Sequence, residues 1–89
     1  GMFQGETQEV EFQADKCLLD VIFDVFGDNI ALESLDNNTV TFKAEVQVSP
    51  TFLGWCCSFG DKLKIVGRAA TVKKLKEYIG IIIQAYQND

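Results

Sequence analysis

The chain has 89 residues, 47% of them hydrophobic, with 13 acidic and 8 basic side chains, no histidine and a net charge of -5. That length holds one domain with a small core, which removes about 60 to 65% of the unfolded chain's surface from water. The acidic balance argues against direct binding to a nucleic-acid backbone, and the lack of histidine removes the usual general base near neutral pH.

Three cysteines, Cys17, Cys56 and Cys57, are an odd number, and two of them are neighbours that do not form a relaxed disulfide with each other. A reducing compartment is the simpler reading. With no histidine beside them they make no convincing zinc site, so neither a metal nor another cofactor is expected, and no catalytic residue is assigned. No charged leader with an apolar stretch opens the chain, and no apolar run reaches about 18 residues, so a cytoplasmic location without membrane contact is expected. Gly1 ahead of Met2 has the form of a tag remnant, in which case the chain is a piece of a longer polypeptide.

Residues 8–14 alternate, with Val10, Phe12 and Ala14 on one side and Glu9, Glu11 and Gln13 on the other, the pattern of a strand buried on one face. Asp15 is placed to cap a helix that runs to Phe26 and ends at Gly27. Residues 30–35 then read as a short strand, residues 36–38 as a turn, and residues 39–48 as a longer strand. In the longer strand Val40, Phe42, Ala44, Val46 and Val48 alternate with polar residues. Ser49 followed by Pro50 is an N-cap with proline in the first turn, and the helix it opens is expected to stop at Gly60. Phe52, Trp55, Cys56 and Phe59 form its buried stripe. Leu63 and Ile65 mark a fourth strand broken by Gly67. Thr71 is expected to cap a last helix reaching Tyr86, with Val72, Leu75, Ile79, Ile82 and Tyr86 on its inner face.

The tripeptide Phe-Gly-Asp occurs twice, in "DVFGDNIAL" (24–32) and "CSFGDKLKI" (57–65). Both copies sit where a helix gives way to a strand, so Gly27 and Gly60 are read as helix C-caps in the left-handed conformation rather than as a binding motif. The order βαββαβα predicts an α+β fold of ferredoxin-like βαββαβ type, a four-stranded antiparallel sheet with helices on one face and an added C-terminal helix.

The outer face of that sheet is expected to carry Glu9, Glu11, Thr41, Lys43, Glu45, Gln47, Lys62 and Lys64. RNA-binding relatives of this architecture carry stacking aromatics on that face, whereas Phe12 and Phe42 point inward by parity, which leaves a solvated surface of mixed charge. Cys56 shares the core stripe, and Cys57, about 100° around the helix, is the more accessible thiol of the two. Tyr78, Ile81 and Ile83 are apolar outside the main stripe of the last helix. They are the first candidates for an interface, with Trp55 and Phe52 second, although the same spacing places Trp55 and Phe52 in the core.

The segments "MFQGE", "VIFDVFGDNI" and "VSPTFLGWCCSFGDKLKIVG", in that order and followed by an amphipathic helix, resemble the C-terminal extension, called WCX, of bacterial WYL-domain transcriptional regulators. The resemblance covers nearly the whole chain, and its specificity lies in the order of short motifs. Arg68 departs from it, because a proline often follows that glycine in the family. The resemblance implies a connector from a WYL domain over residues 1–7 and a single WCX-like domain over 8–89. DNA would be contacted only through a separate N-terminal helix-turn-helix domain of the parent chain. It implies a non-catalytic regulatory module that aids dimerisation or transmits an effector signal, and so a homodimer. The alternative is a free-standing ferredoxin-like sensor of small molecules.

Overall fold

In the computed structural model the described residues are 7–87. Most of the connector expected over residues 1–7 therefore lies outside them, and its last residue, Thr7, already opens the first strand. That strand, β1 (Thr7–Asp15), buries Val10, Phe12 and Ala14 on the face that Gln8 shares and turns its odd-numbered residues to the other side, as the period of two requires. Asp15 accepts a hydrogen bond from the Cys17 backbone N–H at 2.8 Å and so starts a 3-10 turn (Lys16–Leu18) that runs into α1 (Leu19–Phe26). Gly27 ends α1 with its N–H on the Phe23 carbonyl. Its φ of 87° and ψ of 170° lie in an extended region open essentially to glycine, not in the left-handed helical region expected from sequence.

The strand expected over residues 30–35 contracts to β2 (Glu33–Ser34). Ile30 and Leu32 turn instead toward the core, and their burial competes with strand pairing. A turn follows in which Asp36 accepts from the Asn38 N–H, and the chain continues as β3 (Thr39–Gln47), one residue shorter than expected. Ser49 caps α2 (Pro50–Cys57) through the Phe52 N–H, with Pro50 in the first turn. The second predicted glycine cap is corrected: α2 ends at Cys57 with Ser58 as its C-cap, and Gly60, at φ 61°, opens a 3-10 turn (Gly60–Lys62). The Ser58 hydroxyl donates to the Trp55 carbonyl and closes the helix end locally, so Gly60 is not needed there. The remaining elements are β4 (Leu63–Gly67) and α3 (Ala69–Gln87).

The four strands form one antiparallel sheet in the order β2-β3-β1-β4, accompanied by three α-helices, the last of them C-terminal. β1 pairs with β3 along its full length, with Phe12 opposite Phe42, and those two rings stack at 5.0 Å between centroids. Phe26 and Phe52 close on Phe12, Trp55 packs on Phe26, and Phe59 packs on Trp55. These aromatic contacts join α1, α2 and the sheet. Trp55 and Phe52 are thus half-buried parts of the core assembly, and Leu53, absent from the expected stripe, is the buried apolar residue of α2 beside Cys56.

Thr71 is also reassigned. It is fully buried inside α3, its hydroxyl 3.4 Å from the Gln8 side-chain oxygen, while Arg68 precedes the helix and its carbonyl accepts from the Thr71 and Val72 N–H groups. Arg68 holds a φ of 77°, uncommon for a residue with a side chain, and its guanidinium Nε donates to the Glu9 carbonyl at 3.0 Å. Just before it, Gly67 lies so close to Glu11 that an added Cβ would meet the Glu11 Cβ at 2.6 Å, at the point where the β1–β4 register shifts. This close approach and the turned backbone at Arg68 set the direction in which α3 leaves the sheet.

Candidate interaction surface

The first half of α3 rests on the body of the domain: Thr71 is buried, and Val72 and Leu75 are half-buried against the core cluster. Tyr78 lies beside α2, where its hydroxyl occupies the space left by Gly54, 3.1 Å from where a Cβ would stand. Beyond Tyr78 the helix carries Ile79, Ile81, Ile82, Ile83 and Tyr86, all exposed, with Ile81 at 69% and Tyr86 at 75%. The expected inner face is therefore covered only in its first part, and Ile79, Ile82 and Tyr86 are corrected from buried to exposed. A helix of 19 residues is about 28 Å long and β4, with 5 residues, about 17 Å, so α3 outruns its support.

At about 100° per residue, Ile79, Ile82 and Tyr86 fall inside the arc between Thr71 and Val72, and Ile83 falls just beside it. The exposed stripe thus continues the body-facing side of the helix past the end of the body. Ile81 lies on another flank, with Tyr78 and Lys74, at a hollow of about 250 Å³ that also touches Val48, Pro50 and Leu53. From Tyr78 to Gln87 the helix has no charged residue, whereas Lys73, Lys74 and Lys76 crowd the turns before it. Such a stripe has poor reason to remain in water: together with Ile81 on its other flank it presents about 500 Å² of apolar surface, near the upper end of what a monomer leaves uncovered.

The open face of the sheet follows strand parity. Glu11 stands opposite Lys43, Glu9 opposite Glu45 and Gln13 opposite both Thr41 and Lys64, while Phe12 and Phe42 point into the core. Lys62 belongs to the 3-10 turn before β4 rather than to the strand. The outer edge of β3 is covered by β2 only at Val40 and Thr41. Because the Thr39 carbonyl faces β2, the outward main-chain groups farther along are those of Lys43, Glu45 and Gln47, and among the described residues none of them has a main-chain partner on that side. Beside them lies an open hollow of about 450 Å³ lined by Val25, Phe26, Ile30 and Ala44, with Val25 exposed on α1.

The expected ranking of Cys57 over Cys56 holds, and a third thiol, Cys17, is more accessible than either. Cys17 is the exposed one, Cys57 is half-buried and Cys56 is buried. Cys17 is held above the usual thiol range by its hydrogen bond to Asp15, whose own carboxyl is held below the usual carboxylate range by the Cys17 backbone N–H. Burial, with a smaller contribution from the neighbouring Cys57, pushes the Cys56 thiol up to about 12. A raised pKa withholds the thiolate, so neither Cys17 nor Cys56 is primed as a nucleophile. Among the described residues no group of three or more His, Cys, Asp or Glu side chains is placed to hold a metal ion, and no helix is long and apolar enough to cross a membrane. No protein-family model, curated protein or solved structure matches this chain.

Proposed function

We propose that this chain is a non-catalytic regulatory and oligomerisation module, of the kind that the WCX resemblance implies for the C-terminus of a WYL-type transcriptional regulator. The observation that carries the proposal is the exposed apolar second half of α3, which joins the packed domain to whatever it assembles with. A ferredoxin-like plan is part of the same reading, supported by the strand order β2-β3-β1-β4 and by the placement of α1 and α2 between strands that are not sheet neighbours. On this reading DNA is contacted by another domain of the parent protein, consistent with the acidic balance of this one, and the effector is bound or relayed in the assembled regulator.

The test is the mass of the 89-residue chain in solution by light scattering across a concentration series. The wild type is expected to self-associate. The double variant Ile82→Glu/Ile83→Glu, which changes only exposed positions, is expected to remain folded by circular dichroism and run as a monomer. A wild type that stays monomeric at every concentration removes self-association from the proposal.

The free-standing sensor is favoured by one observation, the unpaired outer edge of β3 beside the hollow at Val25 and Ala44, where two sheets could join side by side and enclose a small ligand. A metabolite panel in a thermal-shift assay separates the two readings, since a sensor is stabilised by a saturating ligand and a pure assembly module is not.

A further inference from the structure

We infer that the partner covering the α3 stripe is a second copy of this chain, packed antiparallel on α3 across a twofold axis that passes between Ile82 and Ile83. This inference rests on the oligomerisation reading above and specifies its geometry.

Three physical arguments lead to it. The first is steric. The stripe of Ile79, Ile82 and Tyr86 lies on the side of α3 that Thr71 and Leu75 turn toward their own body. If two stripes met with the helices parallel, both bodies would have to fit into the same space between the two helices. With the helices antiparallel, each body lies beyond the free end of the other helix, and the stripes meet unobstructed. The twofold axis then brings Ile79 of one copy to Tyr86 of the other and Ile82 to Ile83, a self-complementary contact of the isologous type.

The second argument is charge. Parallel helices would bring Lys76 of both copies, the lysine that flanks the stripe, to the same level of the contact, which is repulsive. In the antiparallel pair the two lysine clusters sit at opposite ends, roughly 20 to 30 Å apart by the helix rise and outside the Debye length of about 8 Å at physiological salt. Only the uncharged residues from Tyr78 to Gln87 occupy the contact.

The third argument is area. Less than about 500 Å² of exposed apolar surface faces the partner on each copy, since Ile81 lies on another flank, and this falls short of the roughly 800 Å² per partner of a standard interface. The apolar stripe supplies its centre, and the flanks of each body against the other copy's helix end supply the rest. A single free peptide helix laid on the stripe would bring no second body and would leave the contact below that size.

Cysteine pairing and spin labelling test the geometry, in chains carrying Cys17→Ser and Cys57→Ser so that only introduced thiols react. Chains with Ile79→Cys are mixed with chains carrying Tyr86→Cys and oxidised mildly. The antiparallel pair yields the mixed 79–86 disulfide as the main product, several-fold over either symmetric dimer. Separately, labels at Lys73→Cys, which leaves the stripe intact, are expected roughly 30 Å or more apart.

A symmetric 79–79 disulfide, or labels near 10 Å, overturns the antiparallel assignment while leaving self-association standing. A dimer by light scattering that forms no 79–86 link and shows no long label distance places the contact elsewhere and also overturns it. A chain that stays monomeric yet sediments with anionic vesicles through α3 overturns the second copy as partner and assigns the stripe to a lipid surface. Monomer in every assay removes the oligomerisation reading itself.

Discussion

The two halves of α3 share one backbone conformation and one apolar period, yet they differ in what lies beneath them. Thr71, Val72 and Leu75 meet the sheet and the aromatic assembly, so their apolar contacts are satisfied within the chain. Ile79, Ile82 and Tyr86 occupy the same angular sector yet stay exposed, since α3 is longer than β4 and α2 meets the helix at Tyr78 and Ile81. Amphipathic period reports which side of a helix wants cover and is silent about who supplies it. Most helix stability in proteins comes from packing of that face, and the second half of α3 has less of it within the chain than the first.

The sharpest way to test this contrast is to shorten one side chain in each half. Leu75→Ala removes a contact made within the monomer and is expected to cost about 2 to 3 kcal/mol in urea or guanidinium unfolding. Ile82→Ala, measured at a concentration where the chain is monomeric, is expected to change stability by no more than about 0.5 kcal/mol. Equal losses at the two positions would mean that the second half is covered within one chain, and the contrast would collapse.

Gly67→Ala probes the joint that aims the helix. The added methyl would press on the Glu11 Cβ, which is fixed to the β1 backbone and gives way only if the strands move apart. A loss of about 1 to 2 kcal/mol is expected from this overpacking. Amide exchange should quicken in the first turns of α3, since Arg68, bonded to the Glu9 carbonyl, is carried by the same segment. A neutral Gly67→Ala with unchanged exchange would show that the joint tolerates the shift.

The smallest effect concerns the body alone. Cys56 is raised from the ordinary thiol value of 9.0 to about 12, chiefly by burial, so the unfolded chain ionises there before the folded one does. Stability from this residue is complete below pH 9 and declines as the pH rises from 9 toward 12. Cys56→Ala should flatten the stability profile in that window while costing some packing at neutral pH. A wild-type and variant profile that fall together would remove Cys56 as the cause.

Much of the fold is legible in the residues. The alternation of β1 and β3, the Asp15 and Ser49 caps, and the turn at Asp36 are local devices whose physics is complete within a few residues, and each stands where the sequence places it. The misreadings arise where local preference meets a tertiary demand. Thr71 has the chemistry of an N-cap, but its position below the sheet end buries it, and the Arg68 carbonyl takes the first helical bonds instead. Ile30 and Leu32 look like strand residues and are drawn into the core, which leaves β2 two residues long and the edge of β3 open. The interface candidates divide in the same way: Trp55 and Phe52 join the aromatic core, Tyr78 settles on Gly54, and Ile81 and Ile83 remain exposed.

The amino-acid order by itself determined the kinds of element, most of their ends, and which side of each strand and helix is apolar, because hydrogen bonding, capping and side-chain period act over one to four residues. The tertiary structure alone decided the strand order β2-β3-β1-β4, the departure of α3 past Gly67 and Arg68, and therefore which apolar residues find cover. Cover depends on the relative lengths and directions of elements far apart in the chain, and no local pattern of residues carries that information.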